Sequence, residues 1–250
     1  MKLLTLILTL VTVISYAGPP EQVKSNPMTG DIGVAFVSEY IDRGLVLENQ
    51  GVIAQPYIDL AYRINDYVSL NLGLWSSIHS HVDPTTATVR NWYEFDWTPG
   101  ITLTCPKGFS AALTYQEFDS PSSAFDTSRN VNLNIAHDDF LHPHVAVLYE
   151  LNAPGYLGFA PHAWYFEAGV APSRTYKTIT ASLPVIVGLG DSKFYGGQTF
   201  GYATAGVNFS VPIKGNLSFS TGYSYYYINN DTAGSNRSQH VFQGGLTLTF

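Results

Sequence analysis

The sequence predicts an all-β fold, a transmembrane antiparallel up-and-down β-barrel of about twelve strands, from three observations. Apolar and polar residues alternate at period two over much of the chain. Successive side chains of a strand point to opposite faces, so each such segment has one apolar and one polar face. The connections between these segments alternate between short and long. The composition is 45% apolar, 14% aromatic and only 12% charged, against a quarter charged in an ordinary soluble domain. A secreted β-sandwich is the alternative, but it gives loops no reason to alternate in length.

Taken in order, Lys2 precedes an apolar run over 3–14, and Ser15-Tyr16-Ala17 places small residues at a cleavage position. Residues 1–17 read as a secretory signal peptide. The run is shorter than the ~20 residues that a spanning helix needs. Residues 18–29 are polar and contain proline, as a flexible periplasmic lead would, and residues 30–250 form the barrel. Strands are expected over 30–41, 51–63, 67–78, 88–105, 109–118, 130–137, 143–150, 161–171, 175–189, 199–211, 216–228 and 238–250. Short links are expected at 64–66, 106–108, 138–142, 172–174 and 212–215. Longer ones lie at 42–50, 79–87, 119–129, 151–160, 190–198 and 229–237.

Within 216–228, Leu217, Phe219, Tyr223, Tyr225 and Tyr227 share one face, while Ser218, Ser220, Gly222 and Ser224 share the other. Aromatic girdles are expected at both membrane interfaces. Tyr40, Trp75, Tyr93, Tyr115, Tyr149 and Tyr225 would lie towards the long loops, and Tyr62, Tyr67, Phe109 and Phe250 towards the short turns. Pro56, Pro99 and Pro184 interrupt strands that should have no free edge, so bulges are expected there.

The last ten residues, VFQGGLTLTF, alternate strictly and stop on Phe250. This resembles the C-terminal signal that assembly machinery reads in bacterial outer-membrane barrels. The resemblance implies outer-membrane lipid and that machinery as partners. The net charge of −7 argues against nucleic-acid binding. The single cysteine, Cys105, excludes an intramolecular disulfide and reads as a small strand residue.

The first strand and loop read Val37-Ser38-Glu39-Tyr40-Ile41-Asp42-Arg43-Gly44, followed by Pro56, Gly73, Trp75, Glu94 and Asp96. This resembles a functionally uncharacterised family of Gram-negative outer-membrane β-barrels with a Tyr-x-x-Arg-Gly motif after the first strand. The resemblance implies a small barrel in the outer membrane of a Gram-negative bacterium, and no activity.

If Leu and Val mark the lipid face, the opposite parity carries Glu39, Asp59, Arg63, Glu94, Asp96 and Glu167 as lumen lining. Acidic groups outnumber basic ones, and rings of carboxylates favour cations. The expected function is therefore a porin-like passive channel for small solutes. The bland alternative is that these groups pair with Arg63, Tyr hydroxyls and Asn or Ser side chains and plug the interior, giving a non-conducting barrel with a loop-binding or envelope role. Arg43 at the mouth either reaches a carboxylate or anion or anchors the loop, with Gly44 permitting an unusual φ. His79 and His81, and His142 and His144 beside His137, Asp138 and Asp139, have His-x-His spacing that metals use, without a strict metal motif; no metal or cofactor is expected. An outer-membrane hydrolase needs a hydroxyl beside an imidazole. Ser238-Gln239-His240 and Ser80-His81 supply those types without recognisable spacing.

Overall fold

The computed structural model describes residues 26–81, 91–152, 160–229 and 237–250. The expected signal peptide lies outside them. The strands are β1 Met28–Val37, β2 Tyr40–Asp42, β3 Leu45–Glu48, β4 Ile53–Arg63, β5 Val68–His79, β6 Trp92–Thr104, β7 Phe109–Asp119 and β8 Ser128–His137. Then come β9 His144–Asn152, β10 Trp164–Val170, β11 Ser173–Tyr176, β12 Ile179–Ser182, β13 Val185–Gly190, β14 Phe200–Lys214, β15 Leu217–Ile228 and β16 Ser238–Thr249.

Twelve of these form a closed antiparallel wall: β1, β4 to β10, and β13 to β16. The first and last strands close it, with Ile32 opposite Leu248 and Val34 opposite Leu246. Gly30 and Phe250 exchange both backbone hydrogen bonds, at 2.9 and 2.8 Å. Closure leaves no edge of unpaired N–H and C=O groups, which is what lets strands cross lipid. Parity within each strand is as expected. Ile32, Phe36, Leu70, Leu72, Leu113, Leu133, Ile135, Phe219, Leu246 and Leu248 are exposed on the outer face. Asn130, Asn132 and Asn134, which alternate with Val131 and Leu133, are buried inside.

Several expectations are corrected. The wall keeps register across Pro56, Pro99 and Pro184, without bulges: Ala54 opposes Ile78 and Tyr57 opposes Trp75; Trp97 opposes Glu117 and Gly100 opposes Thr114; Ser182 opposes Asn208 and Val185 opposes Ala205. Proline removes a donor towards one neighbour only, so rungs are lost on that side while the other holds register. The wall's register shifts fall elsewhere, at Ser77/Ile78, Arg129/Asn130, Gly188/Leu189 and Pro212/Lys214. No turn lies at 172–174: β11, from Ser173, and β12 prolong the β10–β13 hairpin, and the chain reverses at Lys177, φ 55°. Cys105 is exposed, just past the end of β6.

The largest departure concerns the first long connection. The first strand stops at Val37 rather than at 41. Ser38 ties this point to β16: its N–H donates to the Phe242 carbonyl at 2.9 Å, and its Oγ accepts the Phe242 N–H at 2.9 Å. The chain then turns into the barrel as a small hairpin, β2–β3. Tyr40, Trp75 and Tyr93, expected in a girdle, are buried in the interior around this hairpin. Tyr115, Tyr149 and Tyr225 do lie on the outer wall, and Tyr62, Tyr67, Phe109 and Phe250 are exposed at the other end.

Candidate functional site: the lumen and its inward hairpin

The hairpin turns on Arg43 and Gly44, with Asp42 opposite Leu45. Both central residues have positive φ, 47° and 81°. A two-residue loop of this shape matches the right-handed twist of its strands. Asn-Gly or Asp-Gly normally fills it, because a Cβ in the left-handed region costs roughly 1–2 kcal/mol, which the short polar side chains of Asn and Asp offset by local hydrogen bonds. Arginine at the first position is therefore not the local choice of the turn; its side chain accounts for it. Gly44 packs against the Tyr202 side chain, which a Cβ would meet at 3.0 Å.

Tyr40, Ile41, Asp42 and Arg43 are all at most 3% exposed. The Tyr40 hydroxyl donates to Glu94 Oε2 at 2.6 Å, and its ring packs on Trp75, His79 and Tyr93. Arg43 crosses to the far wall. Its Nη1 donates to Glu150 Oε1 on β9 at 2.5 Å, and Nε lies 3.5 Å from Asp42 Oδ2. The guanidinium carbon is 5.4, 6.0 and 5.8 Å from the ring centres of Phe118, Tyr165 and Phe194. The Tyr195 hydroxyl donates to the Arg43 carbonyl at 2.9 Å. Tyr195 lies in the connection after β13, and burial pushes its phenol well above the usual range. At the base of the hairpin, Glu48 accepts the N–H groups of Asn49 and Gln50 and lies 3.3 Å from His81.

Of the expected lining residues, Glu94, Asp96 and Glu167 are buried inside the long-loop half. Glu167 Oε2 accepts the hydroxyls of Tyr165 and Tyr202 at 2.6 and 2.8 Å, and its Oε1 lies 3.5 Å from His144. Asp59 and Arg63 share the inward parity of β4, towards the short-turn end, half-exposed and exposed respectively. Glu39 stands between β1 and the hairpin beside the His240 N–H, and burial raises its carboxyl above the usual range. Asp42, Glu48 and Glu150 were not singled out from sequence. Glu150 shares the inward parity of Ala146 and Leu148 against Val145 and Val147, which was the available signal.

The short-turn half of the lumen has a different surface. Asp59, Asn71, Thr102, Asn208, Ser220, Gln243 and Thr247 are half-exposed there. They bond in local pairs, Asn71 to Thr102 at 2.7 Å, Tyr57 to Thr247 at 2.6 Å and Gln243 to Asn208 at 2.9 Å. At its rim, His142 lies 3.3 Å from Ser173 and 3.5 Å from Asp138. Asp139 caps the turn, accepting the Leu141 and His142 N–H groups at 2.8 and 3.1 Å and facing His137 at 2.9 Å. Ser238 and His240 are held by Tyr225 and Tyr223 respectively. Among the described residues, no three His, Cys, Asp or Glu side chains converge as metal ligands.

No family model and no curated protein matches the chain. Solved structures do. An outer-membrane channel from Pseudomonas putida F1 superposes with TM-score 0.52 at 10% identity, covering 93% of this chain and all of that one (100%). The NanC porin superposes with TM-score 0.51 at 6% identity, covering 88% and 100%. Outer membrane phospholipase A from Escherichia coli gives TM-score 0.47 at 10% identity, covering 88% and 92%. At such identities the first two establish the fold alone: this chain is a twelve-stranded barrel of the kind found in outer membranes.

Proposed function

We propose that the protein is an outer-membrane channel for small solutes with a cation bias, and that the inward β2–β3 hairpin is its constriction. Phe250 closes the seam and is the feature that the assembly machinery would read; the ends of the chain face the periplasm and the long loops face outwards. The observation that carries the proposal is the unequal lumen. Its short-turn half is a water-accessible polar vestibule. Its long-loop half is filled by a segment covalently held only at its two ends, packed among large buried side chains of the wall. Glu94, Asp96, Glu150 and Glu167 line the route that this segment occupies, and carboxylates in a pore favour cations.

Planar-bilayer recording tests the reading, after heat-modifiable migration has established folding. The wild type is expected to give small or infrequent steps. A variant with residues 40–48 replaced by a short glycine linker is expected to give large, cation-selective ones. Silence of that folded variant overturns the channel and leaves a closed barrel whose loops act on a partner, a reading that the buried hairpin itself favours in the wild type.

A further inference from the structure

We infer that the lumen contains a recognition site for a guanidinium group, now held by the chain's own Arg43, and that guanidinium-bearing solutes such as free arginine are the ligands this site takes. The inference rests on the channel reading for its meaning as solute selectivity, and on geometry for the site itself.

Three features make it a built site. A carboxylate, Glu150, lies at 2.5 Å from Nη1, and a second, Asp42, at 3.5 Å from Nε. Three rings from separate parts of the wall and loops surround the cation: Phe118 on β7, Tyr165 on β10, and Phe194 after β13. The negative faces of aromatic rings attract cations, and cages of them recognise organic cations. A planar guanidinium suits such a cage better than a compact ammonium, because it stacks on rings while its N–H groups reach a carboxylate.

The charge balance points the same way. The described residues include seven buried carboxylates, Asp31, Asp42, Glu48, Glu94, Asp96, Glu150 and Glu167, and one buried Lys or Arg, which is Arg43. Residues of the wall and of a distant loop supply the cage except for Asp42, whereas the cation arrives on a hairpin whose turn is strained to present it. A tethered side chain competes at an effective concentration in the millimolar range or above, so a free solute must displace it. Displacement would free the hairpin, coupling solute capture to widening of the lumen.

Calorimetry on the folded barrel in micelles tests the site without requiring conduction. Arg43→Ala is expected to bind L-arginine and methylguanidinium at least tenfold more tightly than the wild type. Citrulline, of the same length but neutral, should not bind, and Arg43→Ala/Glu150→Gln should lose at least tenfold relative to Arg43→Ala. Equal binding of arginine and citrulline, or no binding to a folded Arg43→Ala barrel at millimolar concentration, overturns the inference. Wild-type protein gives a second measurement, independent of folding of the variant. Amide exchange in residues 40–48 should quicken in concentrated arginine but not in citrulline; identical exchange in both overturns displacement. A silent bilayer with positive calorimetry defeats the channel alone, and conduction indifferent to arginine with negative calorimetry defeats the cage alone.

Discussion

The two halves of this lumen have the same inward parity and opposite character. Towards the short turns the wall presents Asn, Thr, Ser and Gln side chains that bond in neighbouring pairs and stay partly exposed. Towards the long loops the same wall presents large aromatics and carboxylates that are almost wholly buried, because the hairpin packs among them and supplies partners to Glu94 and Glu150. The difference teaches that the wall alone does not decide whether a barrel interior is wet or dry. Water solvates a polar pair at little net cost, whereas a buried charge needs a fixed partner.

The largest effect should come from breaking the dry half at its centre. Arg43→Ala leaves Glu150 and Asp42 without their buried cation; removal of one partner from such a pair costs about 3–5 kcal/mol. That cost should appear as an unseated hairpin, seen as protease cleavage within 40–48, while the wall keeps heat-modifiable migration. Cleavage no faster than in the wild type would mean that the aromatic contacts hold the hairpin alone. Tyr40→Phe removes one buried hydrogen bond to Glu94, worth about 1.5–3 kcal/mol when the acceptor is charged. It should raise cleavage in the same segment, but less than Arg43→Ala. In the wet half, Asn71→Ala removes the bond to Thr102 at a site that water reaches, so a urea midpoint in micelles should report about 1 kcal/mol or less. A loss as large as that of Tyr40→Phe would erase the distinction between the halves.

The smallest effect is a pH dependence at the rim. The Leu141 N–H, with the His137 ring and the His142 N–H, holds the Asp139 carboxyl below its ordinary 3.8. A lowered carboxyl contributes stability above its unfolded value of 3.8, and that contribution is lost as pH falls through the folded value. Asp139→Asn should therefore flatten the acid limb of the urea-midpoint profile and leave the neutral region little changed. A steeper acid limb would reverse the assignment.

The wall was legible because its signals are local. Each strand shows period two, and each short link marks a reversal, as at 64–66 and 106–108. The hairpin was not: Tyr40 keeps the apolar parity of Ile32, Val34 and Phe36, and Ile41 and Asp42 break it only as a strand end would, so parity cannot tell a wall from a segment that has left it. What ends β1 is a pair of bonds from Ser38 to Phe242, 204 residues away, and no local pattern reports these. The same limit explains the aromatic misassignments. Trp75 and Tyr93 sit towards strand ends, as girdle residues do; Trp75 shares the inward parity of Asn71 and Gly73, which that position masked, whereas the inward direction of Tyr93 follows from the register shift opposite Ser77/Ile78. Glu94, Asp96 and Glu167 could be placed on the inner face by parity; that Arg43 would join Glu150 could not, since 107 residues separate them.

That separation also orders events in assembly. The hairpin directly follows the first strand of the wall, yet its partners Glu94, Glu150 and Tyr195 lie 54, 107 and 152 residues from the groups they bind. Nothing near it in sequence can hold it, and long-range contacts form only after the loops they close have been brought together. Arg43 therefore finds its cage only when β7, β9, β10 and the connection after β13 already stand in place. An early segment seats late, and its seating marks a wall that has been completed.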